Sequence, residues 1–457
     1  MNTTLALLVF AAWFTRDGNV VKLGSNMEVE WLTSRAFRLR RAVNGGLPAA
    51  ARQQRDRVRV AVSEGPASAT MRTAHMTLEI GRKTARMRVT AAGGEVLAED
   101  RTGASRENGG IAWERLVRPG ARLFGLGPRA DDRLDARGKR VAASVPFLLS
   151  TAGYAEYHVA PGEYTFDLTR GNRIEIRGGG LIDFFFAHGA TPKEIYEELH
   201  DAGVAVAAPR KWAASENATA HASLSGILRP RIEAATLREF LDGKEMVPFL
   251  DAYEREADDK GLPLIRPLPM QFSVDHADMA NQFMVGDELL VAPMPAGAER
   301  RDVYLPMGMW TRLDTGERHG GRRTVEVRSR TLPVFARAGS IVPFEREVRE
   351  LHYFPKLAGE FFFFEPEAND WTQVHAAPAA DSMRLEIESK VTRIYEWVVH
   401  HAEKPRAAGF SKERFTEVKE AGALAPGTWF FDAAQGSLHV RVRAGAGEDR
   451  IVNLFYE

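Results

Sequence analysis

A mainly β fold is predicted by this sequence of 457 residues, and two observations support the prediction. Residues 20–97 contain short segments in which apolar and polar residues alternate, which is typical of antiparallel strands with one face in water. Residues 261–344 contain short β-prone runs separated by Gly and Pro, which indicates strands joined by tight turns. The length favours two to four domains with sizeable cores. We therefore predict several β-sandwiches with a short helical bridge.

The charge balance argues against nucleic acid or an anionic membrane as a partner, because Lys and Arg total 61 and Asp and Glu also total 61. The absence of Cys excludes disulfides, thiol catalysis and Cys-ligated metal. Four arginines of the predicted strands alternate with apolar residues, so the solvated face of a sheet explains them better than a nucleic-acid surface. They are Arg57, Arg59, Arg86 and Arg88.

One glycine-rich segment formally matches a dinucleotide-binding fingerprint. Gly125 to Ala130 has the spacing G-x-G-x-x-A, but that site needs a helix that begins inside the glycines, within a βαβ unit. Here Pro128 and the pair Asp131 and Asp132 lead into another loop, with strands predicted on both sides. The sequence also lacks a nucleophile elbow, an H-E-x-x-H motif and a P-loop. We therefore predict neither a cofactor nor a metal.

The first residues contain an apolar run from Leu5 to Phe14. This run is too short to span a bilayer, but it has the length of a signal-peptide core. The alternative is the first strand or helix of the N-terminal domain, since no basic residue precedes the run. Residues 1–15 are therefore a candidate signal segment, and localisation stays open between export and the cytoplasm. We expect no other part of the chain to cross a membrane.

Local patterns place the elements in chain order. A helix is predicted from the N-cap Thr191 to Gly203, with proline at its first position and a glutamate that completes a capping box. Two more helices are predicted at Leu237 to Leu241 and Pro248 to Ala257. The strands predicted before them are Val20 to Leu23, Met27 to Trp31, Arg57 to Val62, Met76 to Ile80, Ala85 to Val89 and Leu181 to Phe186.

Four phrases follow one another in the next part of the chain. They are G-L-P-L-I-R-P-L-P-M-Q-F from Gly261 to Phe272, Q-F-M-V-G-D-E-L-L-V-A-P-M from Gln282 to Met294, D-V-Y-L-P-M-G-M-W from Asp302 to Trp310, and L-P-V-F-A-R-A-G-S-I-V-P-F from Leu332 to Phe344. In wording, order and spacing they resemble glycoside hydrolase family 31, the α-glucosidase and α-xylosidase family. The resemblance implies the last strand of a catalytic barrel followed by the family's proximal C-terminal β-domain.

The resemblance extends to the N-terminal part. Arg122 to Gly138 and Val145 to Tyr154 resemble segments of the family's mutarotase-like β-sandwich, and Pro209 to Ala213 resembles the start of its barrel. In the family, a loop between the first two segments carries a W-N-x-D motif, which Gly138 to Ser144 replaces here. The resemblance implies an N-terminal sandwich at 16–190, a helical bridge and barrel remnant at 191–271, and proximal and distal C-terminal β-domains at 272–345 and 346–457.

The barrel itself departs from the family. Only about 50 residues separate Trp212 from Gly261, whereas a (β/α)₈ barrel needs roughly 200. Retaining glycosidases use two carboxylates about 5 Å apart. The family's nucleophile motif, W-x-D-M-N-E, is absent from the sequence, and so is the strand that should carry the acid/base. The remaining acids are better explained as solvated helix faces; they are Glu233, Glu239, Asp242, Glu245, Asp251 and Glu254.

Three residues remain as candidates for contact with a sugar. Arg266 on the surviving strand and Asp275 in the loop after it face the place where the family's pocket would be. The alternative, which we favour, is a buried salt bridge that closes the domain junction. Trp310 is a candidate for stacking on a pyranose ring, on the assumption that its side chain is exposed.

The distal domain is predicted to be a further sandwich. Gly359 to Glu365 contains four consecutive Phe, which suggests a strand buried on both faces. Its other strands are predicted within Asp381 to His400, Gly427 to Asp432 and Leu438 to Val442.

Two functional hypotheses remain. The first is a family 31-like protein without its own catalytic centre, acting in carbohydrate binding or in interactions. The second is an α-glucosidase-type hydrolase whose barrel comes from a partner chain or whose site was rebuilt. We expect Trp212 and Tyr253 to lie close together and the isolated chain to show no turnover. We also expect Phe249 to Ala257 and Leu264 to Met270 to leave an exposed apolar surface that favours self-association or a partner.

Overall fold

The computed structural model describes residues 13–52, 55–107, 110–127, 133–204, 244–272, 279, 281–295 and 297–456. The chain divides into two units, and within the described residues the first ends at Val204 and the second begins at Lys244. The helix predicted at Leu237 to Leu241 lies outside these residues. Trp212 also lies outside them, so its proximity to Tyr253 stays a prediction. No helix in the described ranges combines the length and apolar character needed to cross a bilayer.

The first unit is built from strands, which its described residues contain in the following order. They are β1 (Phe14–Asp17), β2 (Val20–Leu23), β3 (Met27–Trp31), β4 (Ala36–Arg41), β5 (Ala61–Glu64), β6 (Ser68–Arg72), β7 (Met76–Gly81), β8 (Met87–Ala91), β9 (Val96–Asp100), β10 (Ser105–Glu107), β11 (Gly110–Leu116), β12 (Leu123–Gly125), β13 (Arg140–Ala143), β14 (Phe147–Ser150), β15 (Tyr154–His158), β16 (Tyr164–Asp167), β17 (Arg173–Gly178) and β18 (Ile182–His188).

These strands form two sheets that share one core. The first sheet has the order β1-β2-β3-β4-β18-β15-β14-β12, and the second has the order β13-β16-β17-β11-β9-β8-β7-β6-β5, with β10 beside β11. Alternate residues of each strand point inward, as on β7, where Met76, Leu78 and Ile80 are buried. One hydrophobic cluster contains these residues together with Val29 and Phe37 of the first sheet. The predicted N-terminal β-sandwich is therefore present.

Most strand predictions in this unit agree with the structure, and two differ in their bounds. The strand predicted at Arg57 to Val62 begins only at Ala61. The backbone before it bonds to side chains instead of a neighbouring strand: the N–H of Val58 donates to Asn19 Oδ1. The strand predicted from Ala85 begins at Met87, because Ala85 sits in a turn with a φ of 51°.

The two ends of the first unit contain the candidate signal segment and the helix predicted after Thr191. Residues 1–12 of the candidate signal segment lie outside the described residues, while Phe14 and Thr15 belong to β1 and pair with β2. The predicted helix is present as α1 (Pro192–Asp201). Thr191 is its N-cap and accepts a hydrogen bond from the N–H of Glu194, which stabilises the first turn. The segment that replaces the W-N-x-D loop contains β13, paired with β16.

The second unit contains two helices, α2 (Val247–Lys260) and α3 (Leu268–Gln271), and a longer series of strands in its described residues. The strands are β19 (Ile265–Pro267), β20 (Phe283–Val285), β21 (Leu289–Val291), β22 (Arg300–Leu305), β23 (Met309–Arg312), β24 (Arg318–Gly320), β25 (Arg323–Arg328), β26 (Val334–Arg337), β27 (Ile341–Glu345), β28 (Arg349–Tyr353), β29 (Gly359–Glu365), β30 (Asp370–Pro378), β31 (Ser382–Ser389), β32 (Arg393–Val399), β33 (Ala407–Phe410), β34 (Glu413–Glu417), β35 (Thr428–Asp432), β36 (Ser437–Ala444) and β37 (Glu448–Phe455).

Three sheets organise these strands. One has the order β19-β20-β21-β26-β23-β24, a small one pairs β22 with β25, and the largest has the order β27-β28-β32-β36-β35-β34-β33-β37-β31-β30-β29. The chain is therefore mainly β, as predicted, with β29 at one edge of the largest sheet. The strand predicted over Leu264 to Met270 is shorter than expected. Only β19 is extended, and α3 follows, because Pro269 lies in its first turn, where proline is compatible with a helix.

The apolar face of α2 is covered, so the expectation of an exposed apolar surface on this helix and on β19 is wrong. Phe249 is fully buried and its ring stacks on Phe361 of β29, with the centroids 5.5 Å apart. Leu264 and Ile265 are buried in the same cluster. That expectation assumed that these faces had evolved only for a barrel, whereas they pack on the β-sheets of their own unit.

The four consecutive Phe of β29 also differ from the prediction. The strand is not buried on both faces: Phe361 and Phe363 point into the core, whereas Phe362 is 38% exposed and Phe364 is half-buried. The reason is that only one face of this part of the sheet is covered by the core, and the neighbouring strands β30 and β31 show the same alternation of burial.

Candidate functional site

Arg266, one of the sequence candidates, lies at the centre of a polar cluster in the second unit. Its side chain is fully buried on β19 and forms ion pairs with Glu256 of α2 and Asp287 in the β20–β21 turn. Its Nε donates to the carbonyl of Pro263 at 2.9 Å, and its guanidinium lies 4.9 Å from the ring centroid of Tyr253. Burial opposes the charge, but Asp287 and Glu256 raise the pKa of Arg266 above its usual value. Arg266 therefore lies in buried ion pairs with Glu256 and Asp287, while the domain-junction salt bridge predicted for Arg266 and Asp275 stays a prediction, because Asp275 lies outside the described residues.

Tyr253 and Glu288 form the second part of the cluster. The hydroxyl of Tyr253 donates to Glu288 Oε2 at 2.6 Å, and the backbone N–H of Asp287 donates to both the Tyr253 hydroxyl and Glu288 Oε2 at 3.0 Å. Burial, followed by the adjacent Asp287 carboxylate, raises the pKa of Glu288 to about 7. Burial and the same two carboxylates also raise the pKa of Tyr253. A carboxyl group that holds its proton near neutral pH therefore lies beside an acidic neighbour.

Local sequence explains why these groups meet. α2 ends at Gly261, whose left-handed conformation, with a φ of 69°, turns the chain into β19. The backbone N–H of Gly286 donates to the carbonyl oxygen of Leu264 at 2.9 Å. This bond fixes the β20–β21 turn beside the start of β19. Gly286 has a φ of 60° and lies against the Tyr253 ring, where a Cβ would overlap it. The G-D-E sequence of this turn thus presents two carboxylates to α2.

The other two candidates have different outcomes. Asp275 lies outside the described residues. Trp310 is fully buried on β23, and its Nε1 donates to the carbonyl of Pro306 at 2.8 Å. The expectation that its ring is exposed for stacking on a sugar is therefore wrong. The turn that contains Gly308 brings the chain back so that the indole N–H meets this carbonyl and the ring fills a hydrophobic cluster with Phe335.

A cleft of about 660 Å³ opens beside the cluster, and we name it the α2 cleft. One side is formed by the C-terminal half of α2, including Tyr253, Glu256, Asp259 and Lys260. Asp287 and Glu288 of the β20–β21 turn contribute to the lining. Its volume falls in the range of small-molecule sites, roughly 300–1,000 Å³.

The opposite side of the α2 cleft is the hairpin of β29 and β30. Phe361 lies at its base, while Phe362 and Trp371 present partly exposed rings. Gln373 of β30 lies directly across from Phe362 in the antiparallel register. The cleft therefore combines aromatic rings with polar side chains, which is the composition expected of a site for a polar organic ligand.

Three carboxyl groups of the polar cluster are engaged in structural contacts. Glu256 and Asp287 pair with Arg266, and the buried Glu288, with 9% of its surface exposed, accepts from Tyr253. Of the acids assigned to solvated faces, the three in described residues are exposed or half-buried: Glu245, Asp251 and Glu254. In the parts of the chain that the structure describes, no group of three or more His, Asp or Glu side chains could hold a metal ion.

Sequence reasoning found Arg266 but missed its partners and the cleft. Asp287 and Glu288 lie inside the quoted phrase Q-F-M-V-G-D-E, so a signal for them was present. The partly exposed Phe362 could have been found from alternation, since neighbouring residues of an edge strand face opposite sides. No sequence signal places α2 beside this hairpin, because the two are about 100 residues apart in the chain.

The family model that describes the glycosyl hydrolase family 31 C-terminal domain matches residues 261–342. This range contains Arg266, Asp287 and Glu288, and it extends from the start of β19 to β27. It agrees with the phrases on which the resemblance rests.

Known proteins match this chain over part of its length. An α-glucosidase from Saccharolobus solfataricus is 38% identical over 104 residues, which are 22% of this chain and 15% of that protein. An isomaltosyltransferase from Sporosarcina globispora is 23% identical over 237 residues, which are 45% of this chain and 21% of that protein. The matches therefore span only a small part of these relatives.

The fold is also shared with solved structures. A family 31 dextranase from Flavobacterium johnsoniae, in a mutant complexed with isomaltotriose, superposes with a TM-score of 0.78, covering 97% of this chain and 99% of that one at 13% identity. At this identity the likeness concerns the fold alone. Together with the C-terminal domain match and the partial match to α-glucosidases, it supports the resemblance of this chain to glycoside hydrolase family 31.

Proposed function

We propose that this chain is a family 31 protein that binds α-linked glucose oligosaccharides and does not hydrolyse them by itself. The observation that carries the proposal is the match of residues 261–342 to the family's C-terminal domain, combined with the absence of the W-x-D-M-N-E nucleophile motif from the sequence. Fold alone does not provide activity when the reacting groups are missing.

The chemical requirements of glycoside hydrolysis support the proposal that the chain does not hydrolyse sugars by itself. A retaining glycosidase needs a nucleophile and an acid, both directed at one glycosidic bond and about 5 Å apart. In the α2 cleft, Glu256 and Asp287 are held by Arg266, and Glu288 is held by Tyr253. None of these carboxylates is free to attack an anomeric carbon without breaking a buried contact.

The ligand class comes from the relatives. The matching proteins include an α-glucosidase and an isomaltosyltransferase, and a structural neighbour holds isomaltotriose. We extend that chemistry to this chain as binding of α-glucosides. The α2 cleft supports the proposal, because aromatic rings and carboxylates are suited to the faces and hydroxyl groups of sugars.

The direct test is an assay of the purified chain with aryl α-glucosides and aryl α-xylosides. We expect no release of the aryl group above buffer. Glu288→Gln and Asp275→Ala serve as controls for a rebuilt site, and a signal that persists in both variants points to contamination. Turnover that disappears in either variant would overturn the proposal.

A second candidate function is hydrolysis by a rebuilt site. It is favoured by one observation, the raised pKa of Glu288, to about 7, beside the Asp287 carboxylate. Glycosidases use a protonated acid and an ionised carboxylate in such combinations. A hydrolase completed by a separate barrel chain belongs to the same class, and a barrel encoded next to this chain would favour it.

A further inference from the structure

We propose that the α2 cleft is the oligosaccharide site of this chain, that Phe362 and Trp371 stack on sugar rings there, and that the site selects neutral over anionic glycans. This inference rests on the proposed function and adds its location and specificity. The aromatic pairs of the β29–β30 hairpin and the charges of the cleft support it.

The outward face of the hairpin brings the two rings together. In the antiparallel register Phe364 lies opposite Trp371, and Phe362 lies opposite Gln373. Phe362 and Trp371 therefore occupy diagonal positions on one face, where Cα atoms are about 7 Å apart. The two rings and the Gln373 side chain therefore line the same cleft from one face of the hairpin.

Aromatic contacts hold both rings at defined angles. Trp371 packs edge-on against Phe364, with centroids 5.6 Å apart and an interplanar angle of 74°. Phe364 is itself fixed by Arg255 of α2, whose guanidinium carbon lies 3.5 Å from the ring centroid. Phe362 contacts His375 in the same edge-on manner, at 6.4 Å and 82°. Such preorganisation lowers the entropic cost of binding a flat ligand face.

Polar groups at the rim match the hydroxyl groups of a sugar. Lys390 Nζ lies 3.7 Å from Asp370 Oδ2 in the lining of the cleft, and both side chains are partly exposed to solvent. Glu360 is exposed on the same hairpin. Hydroxyl groups both donate and accept hydrogen bonds, so carboxylates, an ammonium group and the Gln373 amide can all be satisfied by one ligand.

The charge of the lining predicts selectivity. Carboxylates outnumber lysines on its walls, and the buried Arg266 is already paired with two of them. An anionic sugar, such as a uronic acid, would meet like charge at close range and lose affinity. Apart from Glu288, whose pKa is raised, the acidic lining residues are Glu256, Asp259, Asp287, Glu360 and Asp370, and the basic ones are Lys260 and Lys390.

The test is isothermal titration of the full chain with isomaltotriose and, as an anionic probe of equal length, trigalacturonate. Trp371→Ala and Phe362→Ala are compared with Phe410→Ala, a matched control because Phe410 is a 39% exposed phenylalanine on β33. We expect the two cleft variants to bind isomaltotriose about fivefold to tenfold more weakly, and the control to bind like the parent chain. Trp371→Phe should recover part of the affinity. Trigalacturonate should bind at least about tenfold more weakly than isomaltotriose.

The outcomes separate this inference from the proposed function. Isomaltotriose binding that is unchanged in Trp371→Ala and Phe362→Ala overturns the cleft as the site while leaving the proposed function intact. Hydrolysis of isomaltotriose, combined with weakened binding in these variants, supports the cleft and overturns the proposed function. No binding at millimolar concentration, or tighter binding of trigalacturonate than of isomaltotriose, would each overturn the inference.

Discussion

At the residue scale, the polar cluster of the second unit shows how buried charge is compensated. Arg266 is shielded from water, and two carboxylates and a carbonyl satisfy its guanidinium. A buried ion that lost these partners would be costly, so the cluster favours one arrangement of α2, β19 and the β20–β21 turn. Glu288 differs from the other carboxylates, because its partner is the neutral hydroxyl of Tyr253.

The raised pKa of Glu288 predicts a specific pH dependence of stability. Between its ordinary pKa of 4.5 and the folded value of about 7, the folded chain holds a proton that the unfolded chain releases. The contribution to stability is therefore fully present below pH 4.5 and is lost as the pH rises through about 7. Glu288→Gln cannot lose this proton. From about pH 4.5 to 8, the free energy of unfolding should shift in favour of the variant by about 3 kcal/mol relative to the parent chain.

Calorimetry of both proteins across this pH range measures the effect, with Glu326→Gln as a control at an exposed carboxylate on β25. The control should track the parent chain at every pH. A difference between Glu288→Gln and the parent that does not change with pH would show that folding does not shift the pKa of Glu288.

At the element scale, α2 is positioned by a close approach between its Tyr253 ring and the β20–β21 turn. Phe249 and Tyr253 both contact Phe361 of β29, and the Tyr253 hydroxyl also accepts a hydrogen bond from Asp287 of the β20–β21 turn, so one helix face meets two sheets of the same unit. The β20–β21 turn passes directly against the Tyr253 ring. The ring leaves no room for a side chain at Gly286.

Gly286→Ala should therefore destabilise the second unit strongly. The new methyl group would overlap the Tyr253 ring, and the positive φ is itself unfavourable for alanine. We expect a loss of roughly 2–4 kcal/mol in the free energy of unfolding, from strain and overpacking together. Gly316→Ala is the matched control, since its φ is 70° but no described atom lies within 4 Å of the new Cβ.

The control should lose only about 1 kcal/mol, the cost of the positive φ alone. Urea denaturation of the two variants separates the contributions. Equal losses would contradict the close packing of Tyr253 on this turn.

Much of the architecture at this scale follows from local pattern. The N-cap Thr191 predicted α1, and Pro248 and Gly261 predicted the start and the end of α2. Alternation of apolar and polar residues predicted strands such as β3 and β7. These features depend on residues within one or two turns of each other, so a single sequence carries them.

The rest depends on contacts between distant residues. Trp310 was expected at the surface, but its burial follows from a turn that returns the indole N–H to Pro306. The exposure of Phe362 follows from its place on the face of the sheet that the core does not cover, and the burial of Phe249 follows from its contact with Phe361. The partners of Arg266 were unknown for the same reason. Tertiary contacts decide such positions, and local propensity does not.

At the scale of the whole molecule, a family 31 fold is combined with a sequence that lacks the family's nucleophile motif. The domain division inferred from the resemblance, including the barrel remnant at 191–271, stays a prediction. Self-association or a partner chain also stays a prediction, but the apolar faces of α2 and β19 no longer support it, because they are buried. What this chain does with a sugar is the central question.

One nuclear magnetic resonance experiment tests the proposal that the chain binds an α-glucoside without cleaving it. A single sample of the purified full chain with excess isomaltotriose is examined by saturation transfer and then by a time course of anomeric proton signals. We predict saturation transfer to isomaltotriose and no new anomeric signals from glucose or isomaltose. The appearance of those products at a rate proportional to chain concentration, or the absence of saturation transfer, would contradict it.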